Sequence, residues 1–416
     1  MSYYPKIEDI SKASEVIGEL FCPTPLQKNL GLSEKYSANI MLKREDLQIV
    51  RSYKIRGAFN KISSLERENI ERGVVCASAG NHAQGVAYSC NLLKIQGIIF
   101  MPETTPKQKI EQVKMFGKDY IEVVLVGDSF DDANSEAQKY SVEKNISFIH
   151  PFDDPKIIEG QATVGLEIFN ESKEKIDFLF IPVGGGGLAS GVGSVFKYLS
   201  PETKIVGVEP LGAQSMKLSL ENGFICELKE IDRFVDGAAV KRVGEHTFNI
   251  CKDVLDHIVA VSEGSVCSTI LELYNRNAIV VEPAGALSIS ALPLFSDQIM
   301  GKNVVCIVSG SNNDIGRTEE IRERSLLYEG LKHYFIIRFP QRSGALLSFV
   351  RNILGPKDDI THFSYSKKTN REQGPAVIGV ELADASDFNS LIKRMEQHNV
   401  VYEYINNKQD LFGFLI

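Results

Sequence analysis

The chain has 416 residues, 43% hydrophobic and 24% charged, which is the composition of a globular protein with a sizeable core spread over two or three domains. Its formal net charge of −8 sets it apart from proteins that hold nucleic acid chiefly through phosphates, whose surfaces are basic. No apolar run reaches membrane-spanning length and the opening MSYYPKIEDISKASE lacks the pattern of a signal peptide, so a cytoplasmic protein with neither nucleic-acid nor membrane partners is expected.

Residues 1–325 alternate short apolar strands with helical stretches. Strands are predicted at 39–43, 73–77, 97–101, 122–126, 178–183, 205–209, 257–261 and 303–308. Many are near-continuous apolar runs closed by Gly, Ser, Pro or Asp, as in strands buried on both faces of a mostly parallel sheet. The alternation gives an α/β architecture, and the length implies two α/β lobes flanking a cleft, the smaller at about 51–150. A charged helical stretch, 317–329, leads through a linker at 326–332 into a region of different rhythm, 333–416. There a strand (333–339), a helix (343–354), two strands (359–368 and 375–382), a helix (387–399) and a strand (400–405) follow the β-α-β-β-α-β order of a ferredoxin-like domain. The seven cysteines, Cys22, Cys76, Cys90, Cys226, Cys251, Cys267 and Cys306, are scattered and form no C-x-x-C pair. Reduced, buried thiols are expected, not a disulfide framework or a zinc knuckle.

The strand at 178–183 runs into Gly184-Gly185-Gly186-Gly187-Leu188 and then a helix. Consecutive glycines open backbone conformations closed to other residues, and their N–H groups together with a helix N-terminus suit a phosphate dianion. A merely tight turn is the simpler alternative. The same segment, as Gly184-x-Gly186-x-x-Ala189 with Glu209 ending the next strand, also matches a dinucleotide fingerprint. Taken alone it admits an NAD-dependent oxidoreductase.

Three further segments discriminate. Ser52-Tyr53-Lys54-Ile55-Arg56-Gly57-Ala58 opens a helical stretch, although a lone lysine is by default a solvated charge. Ser78-Ala79-Gly80-Asn81-His82 follows the strand at 73–77, at the strand end where α/β sheets bind ligands. Its plain alternative is a helix cap by Ser78 or Asn81. Ser309-Gly310-Ser311-Asn312-Asn313 follows the strand at 303–308 and is otherwise a polar turn.

Together these segments resemble the fold-type II pyridoxal-phosphate enzymes, especially the threonine and serine dehydratases, over essentially the whole chain. A Rossmann dehydrogenase accounts for none of the other three segments. The resemblance implies pyridoxal 5'-phosphate as cofactor and Lys54 as the catalytic residue that bears it. It further implies Asn81 on the cofactor's ring hydroxyl, Gly184, Gly185, Gly186, Gly187 and Leu188 around its phosphate, and Ser309 at its pyridine nitrogen. Ser78, Ala79, Gly80, Asn81 and His82 are implied to receive the substrate carboxylate.

A lysine amine condenses with an aldehyde and becomes a useful base once burial lowers its pKa. Displaced by substrate, it is placed to take the Cα proton. Loss of the β-hydroxyl then leaves an enamine that hydrolyses to a 2-oxoacid and ammonia. A neutral hydroxyl at Ser309 does not stabilise a protonated ring, and the weaker electron sink favours prompt elimination over transamination. Related racemases carry a serine where this chain has Ala79, so dehydration without racemisation is expected. Tyr53 is expected near the cofactor or in the core, and Gly237 and Ala238 against the other ring face. Glu209 matches a position of a cation site in some relatives, but Ser215 replaces their aspartate, so no divalent metal is expected.

The tail motif F-x-I-x-F-P-x-R-x-G-A-L at 335–346 resembles the ACT-like regulatory domain of biosynthetic threonine dehydratases, in one copy and with Ser343 where the family often has proline. That resemblance implies L-threonine as substrate, L-isoleucine as allosteric effector and a homotetramer. A ligand-free dimerisation module is the alternative for the tail. For the reaction the alternatives are a serine dehydratase acting on L-serine or a β-replacing enzyme such as threonine synthase. A catalytically silent sensor would have no use for Lys54.

Overall fold

Strands that are apolar on both faces require cover on both faces, and the first part of the chain supplies it with helices. The computed structural model describes residues 3–365 and 373–408. The chain divides into one unit of residues 1–263 with 273–313 and another of residues 264–272 with 314–416.

The first unit holds two sheets. The larger has the order Leu26–Lys28, Asn39–Arg44, Asn303–Val308, Phe178–Pro182, Lys204–Pro210, His257–Val261. All its pairings are parallel except that of the edge strand Leu26–Lys28. The smaller sheet is parallel throughout, in the order Ile121–Leu125, Gly97–Met101, Val74–Ala77, Ser147–Phe148. Each strand predicted in this part of the chain is present to within a residue or so. Leu26–Lys28 and Ser147–Phe148, of 3 and 2 residues, are too short to carry a pattern. Leu179, Ile181, Val192, Phe196, Val305 and Ile307 fill the core against the larger sheet. Val74, Cys76, Val86, Ile99 and Met101 do so against the smaller. The segments Ser78–Asn81, Gly184–Leu188 and Ser309–Asn313 all leave the C-terminal ends of parallel strands, and the last two leave adjacent strands.

The second unit contains a four-stranded antiparallel sheet in the order Asp359–Tyr365, Gln373–Glu381, Lys332–Pro340, Tyr402–Tyr404. Helices Ala345–Asn352 and Phe388–Gln397 bury Phe349, Leu391 and Met395 with Phe335, Ile337 and Ile378 of the sheet. This is the ferredoxin-like arrangement. The predicted strand residues 366–368, and the last residues 409–416, lie outside the described residues. The stretch 326–332 is largely regular: helix Thr318–Tyr328 runs into it and strand Lys332–Pro340 begins at its end. Of the cysteines, five are buried, but Cys22 is exposed and Cys226 only half-buried. The expectation of buried thiols fails at these two because both lie in loops between elements, where no core face covers them.

Candidate active site

Each glycine of the run has a steric reason. A Cβ on Gly184 would lie 2.9 Å from Cα of Ala238, and one on Gly185 would lie 2.4 Å from the Phe152 ring. At Gly186, where φ is +91°, it would meet Met216 at 2.6 Å and Thr247 at 2.9 Å. At Gly187 it would meet Cβ of Phe152 at 3.0 Å. Gly187 opens helix Gly187–Leu199, whose first-turn N–H groups have no intrahelical acceptor. The run is thus a backbone-lined cradle at a helix N-terminus, suited to an anion.

Lys54 is the first residue of helix Lys54–Ser63. Its Nζ donates to the Pro151 carbonyl at 2.7 Å and lies 5.4 Å from the centre of the Tyr53 ring. Burial pulls its pKa down from the usual 10.5 to about 8, with Glu282 opposing the fall. The chain before it is pinned to the serine loop. Tyr53 N–H donates to the Ser309 carbonyl at 3.2 Å, Ser311 N–H donates to the Arg51 carbonyl at 2.9 Å, and Ser52 and Gly310 form an antiparallel bridge. On another side, helix Asn81–Leu93 approaches so closely that a Cβ on Gly85 would lie 3.2 Å from the Lys54 carbonyl. The turn containing Pro151 also carries Phe152, the ring against which Gly185 packs, so the lysine and the glycine cradle share one loop.

In the Ser78–His82 loop, Ser78 Oγ accepts from Gly80 N–H at 3.2 Å. Nothing lies within 4 Å of a Cβ built on Gly80, so this loop faces open space. Asn81 opens its helix and has its carboxamide held at both ends: Oδ1 accepts from Asn312 Nδ2 and Nδ2 donates to Glu282 Oε1, both at 2.6 Å. His82 turns inward instead. Its Nε2 bonds the Ile149 carbonyl at 2.9 Å, and burial drives its pKa down to about 3, which keeps it neutral. His150 is likewise lowered, to about 4, chiefly by burial, and its Nδ1 accepts from the N–H groups of Phe152 and Asp153. Ser309 is buried beside the lysine segment. Gly237 packs against Ala284 and Glu282, and Ala238 against Gly184. Tyr53 is half-buried and packs at the edge of the larger core.

Several contacts that shape this site are not legible in the motifs, even where the residues belong to them. Arg56, buried on the lysine helix, spends its guanidinium on Glu45 at 2.7 and 2.8 Å, on Glu167 at 2.6 and 2.8 Å, and on Thr163 at 3.0 Å. Gly57 and Gly160 let helices Lys54–Ser63 and Pro155–Glu171 touch, since a Cβ on Gly57 would lie 2.3 Å from Gln161 Nε2. Asp154, before Pro155, is a helix N-cap signature legible in the sequence, and it marks the turn that delivers Pro151 and Phe152. Glu282 likewise stands at an N-cap before Pro283. Glu209 accepts N–H bonds from Met216 and Lys217, both at 2.8 Å, at the start of helix Ser215–Asn222, and burial raises its pKa to about 8.

The donor set suits a ligand with a phosphate and an aldehyde: a glycine cradle that Cβ atoms would fill, and an amine of lowered pKa at the start of a helix, bonded to the loop that also packs on the cradle. The family model for pyridoxal-phosphate dependent enzymes matches residues 17–310, and that for the C-terminal regulatory domain of threonine dehydratase matches residues 323–415. The chain is 57% identical over 411 residues to the L-threonine dehydratase biosynthetic IlvA of Halalkalibacterium halodurans, covering 99% of each. It is 54% identical over 411 residues to the protein of that name from Bacillus subtilis, covering 99% of this chain and 97% of the other. Among solved structures, the processed form of threonine deaminase isoform 2 from Solanum lycopersicum is similar with a TM-score of 0.72 at 39% identity, over 78% of this chain and 96% of that one. The chain therefore belongs to the pyridoxal-phosphate-dependent enzymes and, among them, to the biosynthetic threonine dehydratases.

Proposed function

We propose that the chain removes the amino group of L-threonine, giving 2-oxobutanoate and ammonia, with pyridoxal 5'-phosphate carried on Lys54. The observation that carries this reading is the convergence on one amine. Lys54, its pKa lowered by burial, is tied through Pro151 to the loop under the glycine cradle and through backbone bonds to the Ser309 loop. When bound, the cofactor supplies an electron sink that acidifies the Cα–H of the substrate. Gly184, Gly185, Gly186, Gly187 and Leu188 offer backbone N–H groups to its phosphate, Asn81 offers its second amide N–H to the ring oxygen, and Ser309 offers a hydroxyl to the ring nitrogen. Ser78, Ala79, Gly80, Asn81 and His82 receive the substrate carboxylate at the start of helix Asn81–Leu93, His82 through its backbone because its ring is turned inward. Lys54 takes the Cα proton. Ala79 has no proton to return from the other face, so the substrate is committed to elimination of its hydroxyl. His82 and His150, neutral and engaged by backbone groups, stay out of the proton transfers.

The proposal extends to regulation. The similarity of residues 323–415 to the regulatory domain of threonine dehydratase supports feedback on the first committed step of isoleucine synthesis, with L-isoleucine as effector. We take residues 1–325 as catalytic, 326–332 as connecting and 333–416 as regulatory, in a cytoplasmic homotetramer. L-serine, which lacks only the methyl group of threonine, is the second substrate admitted by the same chemistry. The test is purified protein with pyridoxal phosphate and L-threonine, assayed for 2-oxobutanoate with and without L-isoleucine. Product formation suppressed by isoleucine supports both parts, and insensitivity removes isoleucine as effector. Absence of product from a protein that binds the cofactor removes threonine as substrate.

A further inference from the structure

Glu282 is a buried carboxyl that the steps above leave without a task. Among the described residues it has no salt-bridge partner within 4 Å, and isolated buried carboxyls are costly to keep. Its surroundings are nevertheless cut to fit it. A Cβ on Gly310 would lie 2.5 Å from Glu282 Oε1, and one on Gly237 would lie 3.4 Å from it. The backbone is fixed as well, because Glu282 N–H donates to the Gly310 carbonyl at 3.2 Å and Pro283 starts the helix Pro283–Ser290. The carboxylate accepts from Asn81 Nδ2 at 2.6 Å, and the backbone N–H of Asn312 favours its charged form.

The polarity of this chain of bonds is determined. Asn312 Nδ2 donates to the Val50 carbonyl at 3.0 Å, and a backbone carbonyl only accepts, so the orientation of the Asn312 amide is settled. The same Nδ2 meets Asn81 Oδ1, which therefore faces the donor, and Asn81 Nδ2 faces the carboxylate. One N–H of Asn81 is consumed by Glu282 and the other has no acceptor among the described residues.

We propose that Glu282 is a positioning residue that holds the Asn81 carboxamide in the one orientation presenting a free N–H donor to the cofactor. The proposal rests on the reading of Asn81 as a cofactor contact. Without Glu282 the amide keeps only the bond from Asn312, and it can swing about that bond so that its remaining N–H no longer points at the cofactor's ring oxygen.

The test compares Glu282→Ala, Glu282→Gln, Asn81→Ala and the double variant Glu282→Ala/Asn81→Ala. The readouts are the affinity of the apoprotein for pyridoxal phosphate and the position of the bound cofactor's visible absorption maximum, with far-ultraviolet circular dichroism as a check of folding. Glu282→Ala is expected to weaken cofactor affinity about tenfold, the loss of one hydrogen bond to a charged group, and to move the absorption maximum as Asn81→Ala does. The double variant is expected to be no worse than either single variant, because the two residues act through one contact. Glu282→Gln keeps an acceptor for Asn81 and is expected to recover most of the affinity; being isosteric, it reports even where the alanine variant folds poorly. Affinity losses that multiply in the double variant, or an unchanged absorption maximum in Glu282→Ala alone, overturn the proposal. If Asn81→Ala itself leaves affinity and absorption unchanged, the underlying assignment of Asn81 fails, and the proposal falls with it.

Discussion

Replacing Arg56 by methionine tests whether the lysine helix is anchored as the geometry says. The side chains of Arg56 and Glu45 are 1% and 0% exposed, and the pair is bidentate. Glu167 keeps a second cation, Lys43 at 2.7 Å, so the loss falls on Glu45, which among the described residues retains only Thr24 and the distant Gln48 as polar side-chain partners. Leaving one member of a buried pair uncompensated costs about 3–5 kcal/mol. Urea denaturation followed by circular dichroism should show that deficit against the parent. Lys54 lies two residues earlier on the same helix, so cofactor affinity should fall as well. A deficit below about 1 kcal/mol, the value of a surface pair, would refute the reasoning.

Further outcomes follow from single contacts. Gly185→Ala places a methyl within 2.4 Å of the Phe152 ring and should cost about 1–3 kcal/mol of overpacking and most of the cofactor affinity. Gly80→Ala meets nothing and should leave both intact while raising KM; equal behaviour of the two in a cofactor titration would contradict the cradle. With a pKa of about 8, roughly one Lys54 in ten is neutral at pH 7, against about one in three thousand at the usual 10.5. Cofactor uptake by the apoprotein, followed by absorbance, should accordingly rise with pH up to about 8 and then level off; a continued rise to pH 10 would count against the lowered pKa. His82 has its folded pKa depressed to about 3, so between that value and about 6.5 the unfolded chain binds more protons and stability is lost as pH falls, by roughly 2 kcal/mol at pH 5. His82→Gln should flatten that acid slope in urea titrations, and an unaltered slope would remove the argument. Ser309→Asp should slow elimination about tenfold, or about 1.4 kcal/mol on the barrier, and unchanged turnover would dissociate reaction type from the ring-nitrogen partner.

The strands were legible because burial on both faces writes itself as a continuous apolar run, and the three ligand loops because they interrupt those runs at strand ends. What the sequence hid were contacts between distant segments. Nothing in His150-Pro151-Phe152-Asp153-Asp154 says that its second residue bonds Lys54 and its third packs on Gly185; those pairs are 97 and 33 residues apart and are brought together by the fold of both sheets. Glu282 reads locally as a cap before Pro283, and only the approach of Gly237, Gly310 and Asn81 turns it into part of the site. His82 looked like a loop residue because it follows Asn81, yet helical geometry turns its ring toward Ile149.

The S-x-K-x-R-G-A segment shows how a motif can be mostly scaffold. Ser52 pairs with Gly310, Arg56 is spent on Glu45 and Glu167, and Gly57 is the point where a second helix touches. Gly85 brings a third helix against the backbone of Lys54 itself. Each of these contacts fixes main chain rather than the lysine's own side chain. The amine is then the mobile group on an immobile root, oriented by one carbonyl, that of Pro151. A base that must alternate between cofactor and substrate needs that combination: its reach has to stay free while its origin stays within a fraction of an ångström of the reacting atoms. A substitution at Arg56 or Gly57 should therefore reduce turnover without touching any reacting group, whereas a change at the exposed Ser64, which caps the far end of the same helix, should not.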